Sequence, residues 1–238
     1  MSTFEDKKDK VGKWLEKRKI DKVLKCLEKH QHEEYSLLYL AQAIAKKRGG
    51  VEKTLRSDND LLDAAKEGNM GNAILALMDG AAIDAADRWG SALLRAMFNK
   101  NRRVAELLIH LGANVNTKDS MGESILMDAV AGNLPYMVEL LIKKGVNPFA
   151  RNRNLRSAKD IAKASERKHA DAKTELIIDM LERYEKYVIG EIAKSRRQKE
   201  ISEMKEAGEI PNLEENPIES DDNNVIDYEA LEKAFSEM

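Results

Sequence analysis

The sequence predicts an all-α protein, a short solenoid of helix–turn–helix repeats, and three observations support this. The stretch "AELLIHLGANVN" at residues 105–116 recurs as "VELLIKKGVN" at residues 138–147, so that Gly112 and Gly145 lie 33 residues apart. Lys, Glu, Ala and Leu fill most windows at helical spacing, while Pro occurs only four times in 238 residues. Only 5% of residues are aromatic, which argues against one deep globular core.

Glycines mark the ends of the repeats. Gly80, Gly112 and Gly145 each follow an apolar-periodic run, as expected where a helix ends in a left-handed residue. Gly90 and Gly122 each precede the next such run. The pattern therefore predicts repeats of helix, tight turn, helix and projecting loop.

Residues 1–57 precede the repeats and are predicted to form an N-terminal helical cap. The stretch "WLEKRKIDKVLKCLEKH" places Trp14, Leu15, Val23, Leu24 and Leu27 on apolar stripes. A terminal cap with a polar outer face is what a solenoid needs to stay soluble.

The repeats follow in order. An opening repeat is predicted at residues 61–82, "LLDAAKEGNMGNAILALMDGAA", and is followed by "SALLRAMF" with "VAELLIHL" and by "SILMDAV" with "YMVELLIKK". A capping repeat begins with "RSAKDIAKA" at residues 156–164 and continues into the helix "AKTELIIDMLERY". A single repeat is too small to bury its own apolar stripe, so these helices are expected to pack between neighbours.

The C-terminal part is predicted to be a helix over residues 186–208 and then an acidic flexible tail over residues 209–238. The tail holds ten Asp/Glu and one Lys, a net charge of −9, whereas residues 1–57 carry a net charge of +6. Leu231, Ala234 and Phe235 have the spacing of one short terminal helix. The opposite charges are compatible with a weak intramolecular contact between the tail and the basic N-terminal region. The alternative is a solvated tail that only aids solubility, because exposed ion pairs contribute little and are screened by salt.

Period, layout and glycine positions resemble those of the ankyrin repeat over roughly residues 58–185. The Thr-Pro-Leu-His start of that family is present only in altered form, as "SALL" at residues 91–94 and "SILM" at residues 124–127. The resemblance implies an ankyrin-repeat domain of about four repeats. It also implies a partner-binding surface on loop tips and inner helices, made of Arg88, Trp89, Ser91, Asn99, Lys100, Ser120, Met121, Glu123, Arg153, Asn154 and Arg156.

The sequence shows no pattern typical of a catalytic, cofactor or metal site. Cys26 is the only cysteine, which excludes an internal disulfide and a multi-thiolate zinc site. "RGGVEKT" at residues 48–54 lacks P-loop spacing, and His30 and His32 have no further ligands nearby. His110 precedes a helix-closing glycine and is expected to be solvated or to cap the helix. Basic clusters are interleaved with acids, and no long apolar run occurs, so neither a nucleic acid partner nor a membrane span is predicted.

These features favour a non-enzymatic protein–protein interaction module, a scaffold or adaptor with a protein partner. One alternative is a bacterial effector delivered into a host cell, because ankyrin proteins with altered repeats and a Glu-rich C-terminal end resemble that group. Another is an enzyme whose site lies at the N-terminal helices. A cytoplasmic location is expected, with secretion into a host cell without a signal peptide as the alternative.

Overall fold

The computed structural model describes residues 7–30, 36–48, 55–167 and 171–206, and these are mostly helical. The helices and strands are α1 (Lys8–Glu16), α2 (Ile20–Lys29), α3 (Ser36–Arg48), α4 (Leu55–Glu67), α5 (Met70–Met78), β1 (Ala86–Asp87), β2 (Gly90–Ser91), α6 (Ala92–Phe98), α7 (Arg102–His110), α8 (Ile125–Ala131), α9 (Pro135–Lys143), α10 (Ala158–Glu166) and α11 (Ala172–Glu206). The all-α repeat fold is confirmed. The chain divides into two compact units after Ile161.

In the first unit, helices pair as antiparallel hairpins that stack along the chain. The pairs are α4 with α5, α6 with α7 and α8 with α9; α6 also packs against both α4 and α8. The side chains between these layers are fully buried, as nearest-neighbour stacking requires: Leu61, Ile74, Leu77, Leu93, Leu107, Leu108, Leu126, Val138 and Leu141.

Local sequence explains where the repeat helices start and stop. Ser91 and Ser124 are N-caps whose hydroxyl groups accept hydrogen bonds from the backbone N–H of Leu94 and Met127, each at 3.3 Å. The glycines predicted to end helices have φ values of 92° at Gly80, 92° at Gly112 and 73° at Gly145. These are left-handed conformations in which a Cβ would be strained.

Backbone groups of neighbouring repeats are joined by a ladder of Asp and Asn side chains. Asp58 accepts from the N–H of Ala82 at 2.6 Å, and Asp84 accepts from the N–H of Asn114 at 2.8 Å. Asn116 accepts from the N–H of Asn147 at 2.7 Å. Each rung satisfies a loop N–H at the junction between two repeats, so the ladder fixes the register of the stack.

Helices α2 and α3 pack on the second helices of the repeats, and α1 packs on α2 and α3. Helix α2 contacts α5, and α3 contacts both α5 and α7. Gly71 of α5 is the point of close approach, because a Cβ there would lie 3.4 Å from side-chain carbons of Ile20 and Leu24. The Arg18 guanidinium forms two 2.7 Å hydrogen bonds with the carboxylate of Asp79 at the end of α5.

The second unit contains the end of α10 and the 35-residue helix α11, which continues through the boundary that the sequence placed after residue 185. Ile177, Met180, Leu181 and Tyr184 are buried, whereas later α11 side chains such as Ile189 and Ile192 are exposed. No helix in the described part of the chain is long and apolar enough to cross a membrane. The tail at residues 209–238, His32 and most of "RGGVEKT" lie outside the described residues, so the tail contact stays a prediction.

Candidate functional site

Three projecting loops precede α6, α8 and α10, and we call them finger 1 (residues 86–91), finger 2 (residues 118–124) and finger 3 (residues 151–157). In finger 1, β1 and β2 pair antiparallel, with Ala86 opposite Ser91 and Asp87 opposite Gly90. In finger 2, Lys118 and Ser124 form an isolated antiparallel bridge. The fingers thus occupy equivalent places in successive repeats, immediately before a first helix.

Each finger turns around the side chain of an Asp or Asn. The Asp87 carboxylate accepts the N–H of Trp89 at 2.9 Å, and Asp119 accepts the N–H groups of Met121 and Glu123, both at 2.8 Å. Asn152 accepts from Asn154 and Arg156, both at 3.0 Å. Such Asx turns hold a tight loop by satisfying its backbone donors, so the residues two and three positions after the Asp or Asn are held at the tip.

Fingers 2 and 3 are also bonded to each other. The Asn152 side-chain amide donates to Glu123 at 2.7 Å, and the N–H of Arg153 donates to the carbonyl of Met121 at 3.0 Å. Gly122 allows this approach, because a Cβ at that residue would lie 3.3 Å from backbone atoms of finger 3. The two tips are therefore held in a fixed relation.

The fingertips present large apolar side chains to solvent. Trp89 is 70% exposed, Met121 is 51% exposed and Leu155 is 72% exposed. The Arg88 guanidinium lies over the Trp89 ring, 5.1 Å from the ring centroid. Large apolar side chains grouped on a surface are typical of interaction sites.

Charge at the fingertips is mainly positive. Arg88, Lys118, Arg153 and Arg156 are exposed, whereas residues 88–89, 120–121 and 153–156 include no Asp or Glu. The carboxylate of Asp87 faces the Arg95 guanidinium, and that contact, followed by the N–H of Trp89, lowers the pKa of Asp87. Asp119 and Glu123 direct their carboxylates into the loops through the hydrogen bonds described above.

Most of the residues implied by the resemblance lie at the surface. Ten of the eleven are exposed or half-buried: Arg88, Trp89, Asn99, Lys100, Ser120, Met121, Glu123, Arg153, Asn154 and Arg156. Asn99 and Lys100 lie at the other end of α6, away from the fingers. Ser91 does not join this set, because it is only 6% exposed and its hydroxyl group caps α6. That part of the predicted surface is wrong.

Leu155 and Phe98 are exposed apolar residues that sequence reasoning did not identify. Leu155 occupies the place of Gly90 and Gly122 in the other fingers and has a φ of 59°, a conformation that is rare for a non-glycine residue. Phe98, at the end of α6, is 77% exposed. An apolar residue in a predicted loop position is a usable sequence signal for Leu155, whereas Phe98 fits the apolar period of a packed helix.

Asp128 of α8 lies close to the acidic residues of finger 2. Burial, followed by the nearby charges of Asp119 and Glu123, raises its pKa to about 6. No group of three or more His, Cys, Asp or Glu side chains among the described residues is arranged to hold a metal ion.

His110, which the sequence predicted to be solvated or to cap the helix, lies half-buried in the last turn of α7. Its Nδ1 atom is buried without a hydrogen-bond partner among the described residues. Burial, followed by the charge of Lys144, lowers the pKa of the imidazole.

Fold and surface together define a helical repeat protein whose loops project from a stack of helices. Proteins of this class use such extended surfaces for binding. Residues 61–152 match the family model for ankyrin repeats, in three copies. This chain therefore contains ankyrin repeats, and ankyrin repeats are protein-interaction modules.

A relative from Treponema pallidum (strain Nichols), itself named for ankyrin repeats, is 36% identical over 102 residues. The match covers 42% of this chain and 34% of the relative, so the chain spans about a third of that relative's length.

Proposed function

We propose that this protein is a non-enzymatic adaptor that holds a protein partner on its three fingers and on the exposed ends of its first helices. The single observation that carries the proposal is the exposure of Trp89, Met121 and Leu155 at the tips of successive fingers. None of these side chains is needed to fill the core, whose layers are closed by other residues.

The geometry suits binding better than catalysis. The polar side chains of the fingers are occupied in shaping the loops: Asp87, Asp119 and Asn152 accept backbone N–H groups. A rigid scaffold that presents aromatic, apolar and Arg side chains has the composition found at binding hot spots.

The proposal is tested by affinity capture from native cells, comparing the full chain with the double variant Arg88→Ala/Trp89→Ala. A partner held on the fingers is captured by the natural chain and lost from the variant, while both proteins melt at the same temperature. A variant that captures the same proteins in the same amounts would refute binding on the fingers.

A further inference from the structure

Resting on the proposed function, we infer that the fingertips form a docking ridge for an acidic protein segment that carries apolar side chains about every 10 Å. We define the docking ridge as residues 88–89, 120–121 and 153–156. Its apolar anchors are Trp89, Met121 and Leu155, and its exposed cations are Arg88, Arg153 and Arg156.

Charge complementarity identifies the partner chemistry. The docking ridge has three Arg and no carboxylate, and the acids just behind it form hydrogen bonds within the fingers. Arg151 adds a fourth guanidinium at the base of finger 3, where it donates to the carbonyl of Leu155 at 2.5 Å and lies 3.8 Å from Asp160. Arg presents a planar fork of N–H donors that matches a carboxylate.

Spacing indicates the second property of the partner. Packed helices lie roughly 8–10 Å apart, so tips of neighbouring repeats are separated by a similar distance. An extended peptide in the polyproline II conformation advances roughly 3.1 Å per residue with three residues per turn, so every third side chain lies on the same face and reaches the next tip. An acidic segment with an apolar residue at every third position therefore matches both anchors and cations.

Leu155 gives the strongest sign that this ridge is functional. Its left-handed backbone, with φ at 59°, is the conformation that glycine takes at the equivalent places in fingers 1 and 2. Leucine is disfavoured there, and its side chain is 72% exposed, so it gains little from packing. Strain that the fold does not need points to a role outside the fold.

The test uses the full chain and fluorescently labelled peptides, with binding followed by fluorescence anisotropy. A peptide of Glu-Glu-Leu repeats is expected to bind at least about tenfold more tightly than Lys-Lys-Leu or Glu-Glu-Ser repeats, and more weakly as salt rises from about 50 mM to about 300 mM. Equal binding of the Lys-Lys-Leu peptide would refute the charge argument. Equal binding of Glu-Glu-Ser, or of a single-stranded oligonucleotide, would show a general polyanion site and refute the apolar anchors.

Variants test whether the Glu-Glu-Leu peptide binds on the docking ridge. Arg153→Gln/Arg156→Gln is expected to lose about tenfold in affinity for the Glu-Glu-Leu peptide, as when two charge-assisted contacts are removed. Arg196→Gln/Arg197→Gln removes the same charge from exposed positions of α11 and is the matched control, with affinity unchanged. A control loss equal to that of the finger variant would overturn the assignment.

Leu155→Gly separates binding from folding. The glycine relieves the left-handed strain, so the melting temperature should be unchanged or raised, while peptide affinity falls about fivefold through loss of the anchor. Unchanged affinity would contradict a role for Leu155.

The peptide-binding assay and the capture experiment test the two proposals separately. If a natural partner depends on the fingers but the peptides show no preference for acidic sequence, the chemistry is wrong and the proposed function stands. If no captured protein depends on the fingers, the proposed function itself fails.

Discussion

The indole of Trp89 is 70% exposed, although its backbone N–H is bonded to Asp87 at 2.9 Å and its ring lies against Arg88. The backbone position is fixed, while the apolar surface stays available. An aromatic side chain fixed in this way loses little conformational entropy on binding. Trp and Arg next to each other are also the residue types most enriched at hot spots.

We predict that Trp89→Ala weakens partner binding by about 2 kcal/mol or more and leaves the melting temperature nearly unchanged. Titration calorimetry against the captured partner measures the first quantity, and thermal unfolding measures the second. Tyr187→Ala on α11 is the control, because it also truncates a partly exposed aromatic residue. Equal losses of stability and binding at Trp89 would assign its side chain to packing.

Asp128 makes stability depend on pH. Its folded pKa of about 6 exceeds the ordinary value of 3.8, so its protonated form is favoured by folding. The contribution is fully present below about pH 4 and is lost as pH rises through about 6. With screening by solvent at this partly exposed site, the difference is about 1 to 2 kcal/mol.

Asp128→Asn is therefore expected to be more stable than the natural chain at about pH 7.5, and to differ little from it at about pH 4. Urea unfolding of both proteins at the two pH values measures this difference. A constant difference at both pH values would show that the carboxylate does not titrate in this range.

Among the structural elements, each finger is shaped by one polar residue, an Asp or Asn, which the spacing of apolar residues in the sequence does not reveal. Asn152 is 6% exposed and holds finger 3 through its own Oδ1, while its amide holds Glu123 of finger 2. Asn154, two residues later, is exposed and its side chain is not needed for the turn. Asn152 and Asn154 therefore allow a comparison between an amide that shapes the turn and an amide that lies at the surface.

We predict that Asn152→Ala lowers the free energy of unfolding by about 2 kcal/mol, since two part-buried N–H groups of finger 3 lose their acceptor and the buried amide loses its bond to Glu123. Asn154→Ala should change it by less than about 0.5 kcal/mol. Chemical denaturation of the two variants provides the comparison. Similar values for both would mean that water replaces the Asn152 amide.

The sequence predicts the hairpins well because their signals are local. Apolar spacing and the glycines after α5, α7 and α9 depend only on nearby residues, and all three glycines take the left-handed conformation. Leu155 was missed because its backbone conformation is dictated by the finger, against its own preference. Ser91 was predicted to lie at the surface because finger 1 is one residue shorter than finger 2. A one-residue shift in the alignment of the two fingers exchanges a surface position for the N-cap position.

At the scale of the whole molecule, the N-terminal helices belong to the same compact unit as the repeats. The sequence predicted helices and a cap, but it does not show which surface they cover. That choice depends on long-range packing: α2 lies on α5 at Gly71, and α3 lies on α5 and α7. They cover the second helices, so the fingers of the same repeats stay exposed.

Removing residues 1–48 is expected to destabilise the first two repeats. The deletion removes fully buried side chains, among them Val23, Leu27, Leu40 and Ile44, and burial of each such side chain stabilises by about 1.5 to 3 kcal/mol. Because repeat stability is a nearest-neighbour sum, the loss should concentrate in α5 and α7. Amide hydrogen exchange should therefore quicken in these helices more than in α8 and α9.

The control for this deletion is Lys47→Ala, which removes an ion pair with Glu16 on the surface of the N-terminal helices. Exposed ion pairs contribute about 1 kcal/mol or less, so exchange in α5 and α7 should stay close to that of the natural chain. If the deletion likewise leaves exchange in α5 and α7 unchanged, the N-terminal helices do not support the repeats. If exchange quickens equally in α5, α7, α8 and α9, the first unit unfolds as one cooperative block and the nearest-neighbour description is wrong for this protein.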